Sequence, residues 1–326
     1  MVKYLKLFRP LNLLFIIGIM ALMRYAVIIP FLDALSKAIE EDIHSLVSFG
    51  EFLMVVFSVV FIAAGGYAFN DVQDIETDAT NKPKRILVSE PSMVPTISNW
   101  SYALMGLGLI LGVAAALAAG NIYLVLIHVI AASSLYVYSV TFKKSFLVGN
   151  LIVALLAAMV PLTMGIFEVN QLQMGYAQMA EQYNNFNFNF LAFWVLGFSA
   201  FAFILTLARE ITKDAEDIKG DLKTGASTLP IQTGLTVTKS VIALIYVLFI
   251  FLLWYTHLNI LPDLYTRAFA IALTLLNAFL IVITLKAKDA KLFGTASTVN
   301  KLTMVLGMCY ALLTWYMLSS GEIIAA

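Results

Sequence analysis

Residues 50–85 read GEFLMVVFSVVFIAAGGYAFNDVQDIETDATNKPKR. Residues 50–69 carry one charge, Glu51, whereas residues 70–85 carry Asp71, Asp74, Glu76, Asp78, Lys82, Lys84 and Arg85. A spanning helix needs about 20 largely apolar residues. The first part is therefore long enough to cross a bilayer, and the second is a charged segment at one membrane face. Similar apolar runs recur near 11–31, 97–118, 121–141, 146–167, 190–208, 238–257, 266–285 and 301–319. Together they predict an all-α, polytopic membrane protein with nine transmembrane helices in a bundle. We read it as a single domain over 1–326, with pseudo-repeats at about 1–141 and 146–326.

Composition supports this reading. Apolar residues make up 61% of the 326 residues and charged residues 12%, with a net charge of +0 and a mean hydropathy of +0.90. A soluble domain is roughly 45–50% apolar and about 25% charged, and a chain this long still exposes much of its surface. A soluble enzyme, a nucleic-acid-binding protein and a disordered scaffold are thereby excluded. The lone cysteine, Cys309, allows no intrachain disulfide and no cysteine metal cluster, and His44, His128 and His257 are too scattered for a zinc motif. The first run follows Lys3, Lys6 and Arg9, as a signal peptide's would, but it is longer and lacks a small-residue cleavage site, so we read it as a retained helix.

Basic residues favour cytoplasmic segments. With the N-terminus inside, nine spans leave all but Arg24, Lys37 and Arg267 of the 20 Lys and Arg on inner segments. The outer segments carry Asp33, Glu40, Glu41, Asp42, Glu168, Glu181 and Asp263. The C-terminus is then expected outside.

The charged segment quoted above has a second copy. Residues 209–225 read REITKDAEDIKGDLKTG. Asp71, Asp74 and Asp78 have the spacing D-x-x-D-x-x-x-D, and so do Asp214, Asp217 and Asp221. Helical residues advance by about 100°, so each triad forms one carboxylate face wherever its segment is helical. Three like charges on one face call for a cation. Oxygen ligands without His or Cys suit a hard ion, Mg²⁺ above all, and Mg²⁺ commonly bridges a few carboxylates to substrate phosphates. Lys82, Lys84 and Arg85 accompany the first triad, and Arg209, Lys213 and Lys223 the second. Carboxylates for a metal beside Lys and Arg for phosphate oxygens make up the chemistry of a diphosphate site.

With these motifs the chain resembles the intramembrane, UbiA-type prenyltransferases over most of its length. The first motif is similar to theirs at Asn70-Asp71-x-x-Asp74-x-x-x-Asp78 with the Pro83-x-Arg85 tail, and the second at Asp214-x-x-Asp217-x-x-x-Asp221. Three stretches resemble the branch that builds archaeal-type ether lipids: Arg9-Pro10-Leu11-Asn12, Arg209-Glu210-Ile211-Thr212-Lys213-Asp214, and Gly220-Asp221 followed by Gly225-Ala226 and Thr228-Leu229-Pro230. Lys219 departs from the usual Glu, Ile86 stands where Pro often follows the Arg, and the outer segments 33–51 and 168–189 are long. The resemblance implies Mg²⁺-assisted transfer of a prenyl group from an all-trans polyprenyl diphosphate to the hydroxyl of a prenylglyceryl phosphate at the cytoplasmic face. It implies metal binding and catalysis by the six aspartates. Asn70, Lys84, Arg85, Lys143 and Lys144 are expected on the donor diphosphate, and Arg9, Asn12 and Arg209 near the acceptor. Two alternatives stand beside this one: an aromatic acceptor such as 4-hydroxybenzoate, and a secondary transporter, whose acids belong near the bilayer midplane.

Other residues carry structural expectations. Tyr136 and Tyr138 read as an interfacial aromatic belt, and Arg24 as a cation snorkelling to the nearby outer end. His128 reads as a core histidine hydrogen-bonded between helices, and Pro161 as a kink. Asn12 is open between a pocket role and a helix–helix hydrogen bond.

Overall fold

The computed structural model describes residues 6–75, 91–182 and 188–320. Asp78, Lys84 and Arg85 lie outside the described residues. Nine helices among those described are long and apolar enough to cross a membrane: α1 Pro10–Ile39, α2 Phe49–Gln73, α3 Val94–Ala118, α4 Ile122–Phe142, α5 Val148–Gly175, α6 Asn189–Lys223, α7 Leu229–Asn259, α8 Leu264–Lys286 and α9 Ala290–Ser320. No strand occurs among the described residues. The protein is an integral, multi-pass membrane protein.

Seven helices contain their expected spans, and α4 and α5 begin one and two residues later than expected; most extend beyond the expected end. The outer segment from residue 33 is not a loop, because α1 continues through a π-helical turn at Met23–Ile28 as far as Ile39. Likewise α5 runs on to Gly175, across much of the second outer segment. Local chemistry sets several ends. Pro10 opens α1, where a missing N–H costs nothing. Ser48 and Glu51 form a reciprocal capping box on α2. Asp263 caps α8 by accepting from the Tyr265 and Thr266 amides.

In the first half α2 packs on α3 and α4; in the second, α6 lies among α5, α7 and α9, and α1 touches α2, α5 and α9. The α2–α3 contact depends on reciprocal glycines. A Cβ on Gly65 would meet the Ser101 carbonyl oxygen at 2.6 Å, and one on Gly108 would meet that of Ser58 at 2.7 Å. Small residues let membrane helices approach this closely and gain van der Waals contact in place of a hydrophobic driving force. On the other side Asn300 ties three helices together, donating to Tyr246 Oη (2.7 Å) on α7 and to the Leu205 carbonyl (3.2 Å) on α6.

Arg24 does not snorkel. It is buried, with Nη1 3.5 Å from Oε1 of an equally buried Glu168. Nη2 donates to the Val47 carbonyl and approaches Ser45 Oγ at 3.4 Å, and Ser45 donates in turn to Glu168 Oε2 (2.8 Å). Glu168, expected in an outer loop, is therefore an interior residue of α5. The pair anchors the segment between α1 and α2, whose Ile43 and Val47 are buried beneath it. Removing one member of a buried pair leaves an uncompensated charge, whereas removing both does not. Arg24→Met is thus expected to cost about 3–5 kcal/mol, and Arg24→Met with Glu168→Leu to recover most of the loss. Thermal unfolding in detergent reads both; equal losses would contradict the pairing.

Candidate active site

One cavity of about 1080 Å³ runs down the bundle, lined by every span except α3. At one end it collects residues from both aspartate segments: Asn70, Asp71 and Asp74 from the end of α2, and Asp214, Asp217 and Asp221 from the last turns of α6. The second triad is helical throughout, so its three carboxylates share one face. In the first, α2 ends at Gln73 with Asp74 as its cap residue.

Four cations of this end, Arg9, Lys143, Arg209 and Lys213, are engaged with carboxylates. Arg9 has left-handed backbone geometry (φ 49°) before Pro10. Its Nη2 lies 2.6 Å from Asp71 Oδ1, and the guanidinium sits 5.0 Å from the Tyr67 ring centre. Lys143 follows the π-helical turn Tyr138–Phe142 that ends α4. Its Nζ contacts Asp74 Oδ2 and donates to Asn70 Oδ1 (3.1 Å), while Asn70 Nδ2 donates to Asp74 (2.8 Å). On α6, Glu210 is gripped by Arg209 (2.6 Å) and Lys213 (2.9 Å). Asn150 at the start of α5 donates to Asp214 Oδ2 (2.8 Å), and Thr228 approaches Asp221 at 3.5 Å. Lys144 lines the cavity, and its carbonyl accepts from the Ser227 amide (2.7 Å), tying the α4–α5 turn to the one after α6.

Among the predicted residues within reach of the structure, both aspartate segments, Asn70, Lys143, Lys144, Arg9, Asn12 and Arg209 meet at this one end. Arg9 stands on the first motif itself rather than apart from it. Asn12 lines the cavity beside Tyr67. Tyr136 is exposed and stacks on Phe69, as a belt residue does, but Tyr138 turns into the cavity. Sequence reasoning missed Glu210 and Asn150 as residues of this end, and named Lys213 only as a basic companion of the second triad. Glu210 lies one helical turn before Asp214 and so on its face, which was a readable signal.

The donor set suits Mg²⁺: carboxylate and amide oxygens, with no His or Cys among the site residues. No group of three acidic, His or Cys side chains among the described residues could hold an ion by itself. That is compatible with Mg²⁺, which keeps waters and is commonly bound through one or two carboxylates plus substrate phosphates.

Nine spans around a cavity that is charged at one end and apolar along its walls describe a multi-pass membrane protein with an internal site. Residues 42–302 match the model of the UbiA prenyltransferase family, and the chain belongs to that family. A digeranylgeranylglyceryl phosphate synthase of Sulfurisphaera tokodaii is 33% identical over 242 residues, covering 72% of this chain and 74% of the relative. One from Sulfolobus acidocaldarius is 35% identical over 183 residues, covering 56% and 58%. A solved structure concerned with digeranylgeranylglyceryl phosphate synthase in membranes has a TM-score of 0.64 at 25% identity, covering 96% of this chain and 97% of that one. The fold is shared, at 17% identity and a TM-score of 0.52, with a UbiA homologue from Archaeoglobus fulgidus bound to GPP and Mg²⁺; there 95% of this chain and 99% of that one are covered. The protein is accordingly a prenyltransferase.

Lys143 is the cation through which α4 reaches the first motif. A hydrogen bond to a charged group is worth about 1.5–3 kcal/mol, or roughly 10- to 150-fold in affinity. Lys143→Ala is expected to weaken geranyl diphosphate binding by that factor in a direct titration. Unchanged binding would leave Lys143 as a topological signal only.

Proposed function

We propose that the protein transfers a geranylgeranyl-like group from an all-trans polyprenyl diphosphate to the free hydroxyl of a prenylglyceryl phosphate, with Mg²⁺, in membrane ether-lipid synthesis. The observation that carries this reading is one cavity joining both aspartate segments and their cations to a long apolar tunnel. The names of the synthase relatives support the acceptor, and the GPP and Mg²⁺ of the Archaeoglobus homologue support the donor and the metal.

In this reading the chain is one domain built of two pseudo-repeats. Asp71, Asp74, Asp78, Asp214, Asp217 and Asp221 hold the metal. Bound Mg²⁺ supplies neutralisation of the charge that gathers on the leaving diphosphate. Asn70, Lys84, Arg85, Lys143 and Lys144 hold the diphosphate oxygens through charge-assisted hydrogen bonds. As the bond from C1 to the diphosphate oxygen breaks, the diphosphate keeps the electron pair, and the acceptor oxygen forms the new bond to C1 and gives up its hydroxyl proton to the departing diphosphate. The apolar walls keep water from intercepting the allylic carbon. Arg9, Asn12 and Arg209 orient the acceptor, whose phosphomonoester carries up to two charges and so calls for more than one cation. The charged chamber opens to the cytoplasm, with the N-terminus inside and the C-terminus outside, as the distribution of Lys and Arg indicates.

Asp74→Asn and Asp217→Asn are each expected to lower turnover about 10²-fold or more while leaving the protein folded. EDTA should stop the wild type and Mg²⁺ restore it. Near-normal rates in EDTA or in either variant would remove the metal role from these aspartates.

The acceptor is tested with labelled geranylgeranyl diphosphate against geranylgeranylglyceryl phosphate, its dephosphorylated form and 4-hydroxybenzoate. The phosphate is expected to be preferred over its dephosphorylated form by roughly 10- to 150-fold, the worth of one charged hydrogen bond. Equal or faster prenylation of 4-hydroxybenzoate would replace the ether-lipid assignment with the aromatic one.

A further inference from the structure

The wall of the cavity formed by α4 is a single stripe. Lys143, Ser139, Leu135, Ala131 and His128 all line it, three or four residues apart, which is the repeat of one helical face. The stripe starts at the ion pair with Asp74. From Lys143 to His128, at about 1.5 Å of rise per residue, it descends about 22 Å. Beside it α2 contributes a second stripe, from Asp74 through Asn70, Gly66 and Ala63 to Val59, and the two helices pack directly where Leu135 lies over Gly66.

His128 is not bonded between helices, as its sequence context led us to expect. It is 1% exposed, and apart from an approach to the Leu124 carbonyl one turn back, neither ring nitrogen makes a hydrogen bond. Packing alone fixes the ring. On one side Phe167 meets it edge-on, with centroids 5.9 Å apart. On another it lies over Gly112 of α3, where a Cβ would stand 2.6 Å from the ring. Gly112 thus provides the space that seats the imidazole at the cavity wall. Behind Phe167 comes the buried pair of Glu168 and Arg24, a poor place for a hydrocarbon chain to penetrate.

We propose that His128, seated against Gly112, is the floor of the donor tunnel and sets the length of prenyl chain accepted. The diphosphate is held at the Asp74–Lys143 end, so the chain must run down the stripe and stop at the ring. The depth suits an extended geranylgeranyl chain. This inference rests on the reading of the cavity as a prenyl diphosphate site. A methyl group at position 112 would push the imidazole into the tunnel and shorten it, whereas loss of the imidazole would deepen it.

The test uses purified full-length protein and all-trans diphosphates with two to five isoprene units. Transfer is measured as kcat/KM, and binding, which needs no acceptor, as the rise in Tm produced by each diphosphate. Gly112→Ala is expected to shift the preference at least tenfold toward the farnesyl donor, and His128→Ala at least tenfold toward the five-unit donor. Total activity is not the readout; the ratio between donors is, so a general loss of stability would not imitate the result. His128→Gln, nearer in reach than alanine, should restore part of the wild-type ratio. Transfer or binding with the same length profile in wild type, Gly112→Ala and His128→Ala would overturn the gauge and leave the function intact. No transfer and no binding of any prenyl diphosphate by the wild type would overturn the functional reading, and the gauge with it.

Discussion

A charge taken out of water in a membrane protein must find a partner or bear a heavy penalty, and the structure depends on how this chain meets that constraint. At the aspartate end Arg9 stands on Asp71, Lys143 on Asp74, and Arg209 with Lys213 on Glu210. The first two pairs hold the start of α1 and the end of α4 to the end of α2, and the Asn150–Asp214 hydrogen bond joins α5 to α6. On the proposed function they also pre-assemble both signs of charge that a metal diphosphate needs, so that a cation can turn from a carboxylate to a phosphate oxygen without leaving the chamber.

The same constraint acts at the opposite end of the bundle. Arg24 and Glu168 are buried from water and hydrogen-bonded to Val47 and Ser45. They fasten the segment between α1 and α2 to the bundle. Between the two charged layers the walls are apolar, and what polarity remains is mostly satisfied locally, as when Ser139 and Thr163 donate to carbonyls one turn back.

The spans were legible because hydropathy is a local property, and the paired aspartate motifs because their spacing repeats. Helix ends were not. The polar extension of α6 to Lys223 has too many charges to register as a span, yet it is where the second motif lies. The Arg24–Glu168 pair was illegible because its members are far apart in sequence, although each is an ionisable residue within a hydrophobic helix, which is itself a signal. Tyr136 and Tyr138 looked equivalent on paper. The π-helical turn that begins at Tyr138 changes the facing of the residues after it, and only Tyr138 lines the cavity. His128 was misread because histidine usually pairs, and its position against Gly112 follows from the close approach of α3 to α4.

The central claim is that two motifs remote in sequence form one metal–diphosphate site. It is tested most directly by binding without turnover: calorimetric titration with an unreactive geranylgeranyl thiodiphosphate, at several Mg²⁺ concentrations, of the wild type and of variants in each motif. The account predicts that Mg²⁺ tightens binding at least tenfold in the wild type, and that Asp71→Asn and Asp214→Asn each remove this coupling. Binding that is independent of Mg²⁺, or coupling that survives loss of one motif, would contradict it.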